Sequence, residues 1–164
     1  MSMIRLATPG DLPAIEELVA AAYQPWADLI GVRPKPMDDD YAAHVAAGRI
    51  HLLCEVTGPD ILDDETEVLG LVVLAPEPDA LLVDNVAVRP DRHGGGLGRR
   101  LLAFAEDRAA ALGLPALRLY TNARMESNIA LYGRLGYEIT ERRQVGPREV
   151  VFMRKRLAPE TSRG

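Results

Sequence analysis

Val86-Ala87-Val88-Arg89-Pro90-Asp91-Arg92-His93-Gly94-Gly95-Gly96-Leu97-Gly98-Arg99-Arg100-Leu101-Leu102 divides into a strand, a glycine loop and the start of a helix. Val86 and Val88 close a β-prone run, and Pro90 stops it because proline cannot donate to a ladder. Four of the five residues 94–98 are glycine, so backbone amides can approach a ligand without an intervening Cβ. From Leu97 onward, Leu101, Ala105, Ala109 and Leu112 recur at helical spacing. Arg99 and Arg100 stand in the first turn, where a cation opposes the helix dipole by roughly 0.3–1 kcal/mol. Two of them there point to an anionic partner. A glycine loop that feeds a helix N-terminus beside two arginines is a phosphate cradle.

Upstream of this stretch, residues 4–7 read as an opening strand. Thr8-Pro9-Gly10-Asp11 follows, with a capping hydroxyl, a proline in the first turn and an acid three residues after the cap. Leu12, Ile15, Leu18, Val19 and Ala22 share one helical face, which predicts a helix ending near Tyr23. Pro25, Pro34 and Pro36 make residues 24–37 an ordered loop. Asp38-Asp39-Asp40 opens a second helix that stops at Gly48. Residues 50–56 are β-rich, the acidic stretch 60–67 reads as a solvated hairpin loop, and residues 68–74 form an almost wholly apolar central strand. The next strand, 81–88, carries Asp84 and Asn85 mid-strand, where burial without a partner is costly.

Downstream, the long helix ends near Leu112-Gly113. A strand over 116–121, a helix over 126–135 and a strand pair over 137–143 and 149–156 complete the chain, and 158–164 reads as a flexible tail. No repeat or domain boundary interrupts this order, so residues 3–157 are expected to form a single domain. Its fold class is α/β, with a central mixed, mostly antiparallel sheet flanked by helices.

The 164 residues are 48% hydrophobic and 26% charged, which is globular rather than disordered. A net charge of −5 gives no support to general nucleic-acid binding or to acidic membranes. Cys54 is the sole cysteine, and His44, His51 and His93 are scattered without ligand spacing, so no metal site is expected. One cysteine and the lack of a leader or a long apolar run place the expected protein in the cytoplasm. The glycine loop is also no dinucleotide fingerprint, because Arg99 stands where its third glycine would be. It is no P-loop either, since Gly-Lys-Ser/Thr is absent. Amides and arginines with no metal-binding hydroxyl suit a pyrophosphate held without magnesium.

With these elements in place, the chain resembles the GNAT superfamily of acyl-CoA-dependent N-acetyltransferases along nearly its whole length. The order of elements is the superfamily's. His93-Gly94-Gly95-Gly96-Leu97-Gly98 is similar to its donor loop, with Gly96 and Gly98 matching and His93 at a position where Gln or Arg is usual. Asn128-Ile129-Ala130-Leu131-Tyr132-Gly133-Arg134-Leu135-Gly136-Tyr137 is similar to its later Asn-to-Tyr helix and Leu-Gly-Tyr ending.

The resemblance implies acetyl-CoA as acyl donor. Amides of His93, Gly94, Gly95, Gly96, Leu97 and Gly98 would hold the pyrophosphate beside Arg99. Main-chain groups of Val86, Ala87 and Val88 would pair with the pantetheine arm and face the thioester oxygen. Asn128 and Tyr132, four residues apart, share a helical stripe. The resemblance sets that stripe against the pantetheine and makes Tyr132 the general acid for the departing thiolate. Asp84, on the strand face of Val86 and Val88, is the first candidate for the base, and Glu55 the weaker one. Cys54 reads as a small hydrophobe rather than a nucleophile. Tyr23, Trp26, Arg33, Met37 and Tyr41 either line an acceptor pocket or pack the helix layer. The implied reaction is direct attack of a primary amine, on a small molecule or peptide, with a longer acyl group as a variant. A non-catalytic acyl-CoA sensor of the same fold is the alternative, and the resemblance leaves a homodimer open.

Overall fold

The computed structural model describes residues 2–56, 66–92 and 95–157. His93 and Gly94, most of the expected acidic loop and the expected tail 158–164 lie outside the described residues. Seven strands form one mixed sheet in the order β1-β2-β3-β4-β5-β7-β6. They are β1 Ser2–Leu6, β2 Ile50–Val56, β3 Thr66–Pro76, β4 Leu81–Val88, β5 Ala116–Asn122, β6 Glu138–Val145 and β7 Arg148–Arg156. The helices are α1 Leu12–Ile30, α2 Tyr41–Ala46, α3 Leu97–Ala111 and α4 Glu126–Arg134. The pairs β1–β2, β2–β3, β5–β7 and β6–β7 are antiparallel, and β4–β5 is parallel. By packing, the described residues group into two compact units, 2–73 with 85–102 and 74–84 with 103–157.

In the first unit, an ion pair joins β1 to the start of α1. Arg5 grips Asp11 at 2.8 and 2.9 Å, and Asp11 also accepts from the Thr8 amide at 2.8 Å and the Thr8 hydroxyl at 3.0 Å. These donors hold the Asp11 carboxyl well below the usual carboxylate range. The acid does reach back to its cap as expected, but Pro9–Asp11 winds as a 3-10 turn before α1 proper begins. Ile15, Leu18 and Val19 are buried, as the helical spacing requires.

α1 does not end near Tyr23. It runs nineteen residues to Ile30, with Pro25 inside it, and closes where Gly31 takes φ +80°. Pro25 is exposed, so the amide it lacks is missing on the solvent side, while buried Tyr23 and Ile30 hold the turns on either side. The expected loop therefore shrinks to the segment after Gly31, itself partly a 3-10 turn at Lys35–Asp38. Asp40 alone of the acid triplet caps α2, accepting from the Ala43 amide at 3.0 Å.

β2 and β3 bury Leu52, Leu53, Cys54, Leu71, Val72 and Val73. Gly70 sits where backbones nearly touch, since a Cβ there would lie 2.9 Å from the Ala87 carbonyl oxygen and 3.0 Å from Leu101. Only glycine allows that approach. In the second unit, Leu81, Val83, Leu117, Leu119, Val151 and Met153 form the buried face of the strands, joined by Ala105 and Ala109 of α3. Lys155 reaches Glu106 at 2.5 Å, tying β7 to α3.

Candidate active site

β4 alternates strictly, with Leu81, Val83, Asn85 and Ala87 buried and Leu82, Asp84, Val86 and Val88 half-buried. Val86 and Val88 thus share a face with Asp84, as the strand period requires. The strand stops at Arg89, whose amide donates to the Leu69 carbonyl at 2.9 Å and whose Nε donates to the Val68 carbonyl at 2.7 Å. A 3-10 turn at Pro90–Arg92 leads into the glycine loop.

Gly95, Gly96 and Arg99 are exposed, and Leu97 and Gly98 are half-buried. Gly96 takes φ +75°, and nothing lies within 4 Å of where its Cβ would be. A side chain is therefore excluded there by backbone conformation rather than by crowding, and the space beside the loop is open. The first intrahelical bond of α3 runs from the Arg100 amide to the Gly96 carbonyl at 3.0 Å. By helix geometry the amides of Leu97, Gly98 and Arg99 have no acceptor one turn earlier inside α3. Open space beside Gly96 at the N-terminus of a fifteen-residue helix fits an anionic group. Arg100 departs from the sequence reading. Its guanidinium donates to the Ser2 hydroxyl and, at 3.1 Å, to the Ser2 carbonyl, so it is engaged with β1, although both it and Arg99 are exposed.

Glu55 is half-buried and lies 3.2 Å from Arg92, which also reaches Glu67 at 3.4 Å. The carboxylate is thus committed to a guanidinium that anchors the residues entering the glycine loop. Cys54 is fully buried, and burial pushes its thiol up, which suits a hydrophobe and not a nucleophile.

The two polar residues of β4 each have a local partner. Asn85 belongs to a buried hydrogen-bond chain. The Tyr23 hydroxyl donates to Asn85 Oδ1 and lies 3.1 Å from the Val86 carbonyl oxygen, Asn85 Nδ2 donates to the Tyr41 hydroxyl at 3.1 Å, and Tyr41 donates to the Pro36 carbonyl. Tyr23 and Tyr41 are therefore packed and spoken for, while Arg33 pairs with Asp38 at 3.0 Å. Trp26 and Met37 are half-buried. Asp84 receives a hydrogen bond from the Tyr120 hydroxyl on β5. Sequence reasoning did not single out Tyr120, because nothing in its neighbourhood along the chain marks it.

Asn128 and Tyr132 lie one turn apart on α4 and are both half-buried. The helix begins after Met125, which takes the cap position, so Asn128 is not the cap. Burial pushes the Tyr132 phenol up to about 12. Its ring meets that of Tyr137 edge-on at 5.9 Å between centroids. Tyr137 is buried, and desolvation, aided by Glu106 and Tyr132, pushes its phenol up as well.

A family model described as the acetyltransferase (GNAT) family matches residues 13–137. The chain is 45% identical over 56 residues to a mycothiol acetyltransferase of Streptomyces bingchenggensis, a match covering 34% of this chain and 18% of that protein. It is 43% identical over 78 residues to an IAA acetyltransferase of Azospirillum brasilense, covering 48% of this chain and 50% of that one. The chain thus spans half or less of the length of these two relatives. Among solved structures, the PaiA N-acetyltransferase of Thermoplasma acidophilum in complex with coenzyme A superposes with a TM-score of 0.73 at 16% identity, covering 96% of this chain and 99% of that one. No helix among the described residues is long and apolar enough to cross a membrane.

Proposed function

The chain belongs to the acetyltransferase (GNAT) family, and from that premise we propose that residues 3–157 act as a single domain moving an acetyl group from acetyl-CoA to a primary amine. The observation that carries this reading is the open space beside Gly96 at the N-terminus of α3. It matches the needs of a coenzyme A pyrophosphate, and a similar fold has been crystallised with coenzyme A. Amides of residues 93–98 hold the pyrophosphate, with Arg99 supplying charge. The backbone of Val86, Ala87 and Val88 receives the pantetheine as an added strand and turns an amide toward the thioester oxygen.

In the proposed reaction, the ammonium gives a proton through water to Asp84, and the free amine attacks the thioester carbon. The C–N bond forms, the C–S bond breaks, the sulfur leaves as thiolate toward Tyr132, on the helical stripe of Asn128, and the second proton of the attacking nitrogen passes through solvent to leave a neutral amide. A phenol raised to about 12 keeps its proton across the neutral range and so is always ready to donate. An ordinary thiol titrates near 8.5, so the hydrogen bond to the departing sulfur carries most of the help, and solvent resets the phenol after transfer. Asp84 is preferred to Glu55 because Glu55 is paired with Arg92 at 3.2 Å.

The test is coenzyme A release from acetyl-CoA across a panel of primary alkylamines, amino acids and peptides with free N-termini. Wild type is expected to release thiol only when an accepted amine is present, and Tyr132→Phe to lower kcat by about 100-fold. Full kcat in Tyr132→Phe at saturating substrates removes the tyrosine from that role.

A further inference from the structure

Asp84 is a half-buried carboxylate in the middle of a strand, and a charge so placed is held only if its surroundings satisfy and orient it. The parallel ladder runs Leu81↔Leu117, Leu82↔Arg118 and Val83↔Leu119. Asp84 and Tyr120 are the next residues on the two strands, and there their side chains take over the contact, the phenol donating to Asp84 Oδ1.

Tyr120 is itself held from the other side. Its register partner on β7 is Phe152, and the two rings lie 6.1 Å apart at a tilt of 47°. Two guanidiniums cover the Phe152 ring, Arg118 at 5.7 Å and Arg143 at 5.3 Å from its centroid. Arg118 is fixed in turn by a fork of two 2.9 Å hydrogen bonds to Glu77. Planar groups stacked on an aromatic face, with one end locked in a bidentate pair, make a stiff support. The proposed reaction does not draw on this cluster.

We propose that Tyr120, braced by Phe152 and its two arginines, is a positioning residue that sets the orientation of the Asp84 carboxylate for taking the proton of the incoming ammonium. The inference rests on the reading of Asp84 as the base. Tyr120 does not exchange a proton with the substrate. It fixes the plane of the group that does, through a charge-assisted hydrogen bond of the kind that outweighs a neutral one.

A double-mutant cycle tests this on the full chain, with Tyr120→Phe, Asp84→Asn and both together. Each is assayed by coenzyme A release with acetyl-CoA and the panel amine of highest turnover, and again with hydroxylamine, which is already uncharged at neutral pH. Acetyl-CoA affinity and melting temperature are measured alongside. Asp84→Asn is expected to lower kcat with the alkylammonium-type acceptor by about 100-fold, and Tyr120→Phe by about 10-fold, in keeping with one hydrogen bond to a charged group. Acetyl-CoA affinity is expected to change less than twofold, the double variant to match Asp84→Asn, and the losses to be much smaller with hydroxylamine. Phe152→Leu, which keeps both reacting partners, is expected to show a smaller loss that also vanishes in the Asp84→Asn background.

Unchanged kcat in Tyr120→Phe, or losses that multiply in the double variant, overturn the role given to Tyr120 while leaving Asp84 as base. Equal losses with hydroxylamine and the alkylamine reduce Tyr120 to a structural part and overturn it too. Full activity in Asp84→Asn, or no turnover of any amine in the panel, overturns the reading of the base on which the inference stands.

Discussion

Asp84 and Asn85 are neighbours on β4, and alternation sends their side chains to opposite faces of the strand. Asn85 is 4% exposed and sits in a chain of hydrogen bonds with Tyr23, Tyr41 and the Pro36 carbonyl, in which each group passes its donor onward. Asp84 is half-buried and receives the Tyr120 phenol, which leans on a ring held by two guanidiniums. A neutral amide with its partners met is suited to hold a fold together, because such a network loses stability at every cut. A carboxylate kept partly open and propped from behind is suited to meet a substrate. On the proposed reaction, two adjacent polar residues therefore answer to different requirements, one to stability and one to chemistry.

The sharpest break of that contrast is at Asp84. Asp84→Asn is expected to cost about 100-fold in kcat with an amine acceptor and to leave the melting temperature within a degree or two, by kinetics and calorimetry on one preparation. Asn85→Leu should do the opposite. It takes one hydrogen bond from each of two buried tyrosine hydroxyls, which costs about 1–3 kcal/mol by denaturant unfolding. The kcat of the folded fraction falls less than for Asp84→Asn. If Asn85→Leu leaves stability intact, the buried chain is ornamental and the contrast fails.

Gly70→Ala probes the backbone beneath both residues. The new methyl would press on the Ala87 carbonyl and Leu101 at about 3 Å, so a loss of roughly 1–3 kcal/mol is expected in chemical denaturation. A neutral result would mean that β3 and β4 yield at this point. The smallest effect belongs to Asp11, far from the chemistry. Its carboxyl is held below the ordinary range when folded, so its contribution is present above the unfolded value, about 3.9, and fades as pH falls toward the folded one. Asp11→Asn should therefore melt lower than wild type at pH 7, with the gap closing below about pH 4. A gap that stays constant down to pH 2 would assign the effect to packing.

Much of this was legible in the sequence because the signals are local. Period-two and helical spacing, with glycine and proline as punctuation, gave the order of elements, the glycine loop and the stripe of Asn128 and Tyr132. Asp84 and Asn85 stood out as polar residues in a strand that demanded partners. The partners themselves were not legible. Tyr23 and Tyr41 lie 62 and 44 positions from Asn85, and Tyr120 becomes visible only when β4 and β5 are known to run parallel in a given register. Pro25 misled for a related reason. A proline predicts a break unless one knows that it faces solvent while Tyr23 and Ile30 beside it are buried. Arg100 misled because its acceptor, Ser2, is 98 residues away.

The most direct measurement follows both products of the proposed reaction at once, thiol by colour and N-acetylated amine by mass spectrometry, with acetyl-CoA and the amine panel. The account predicts equal amounts of coenzyme A and acetylated amine, formed only when the amine is present. Tight acetyl-CoA binding with no amine-dependent thiol release would contradict it, and would make the chain a sensor of acyl-CoA rather than an enzyme.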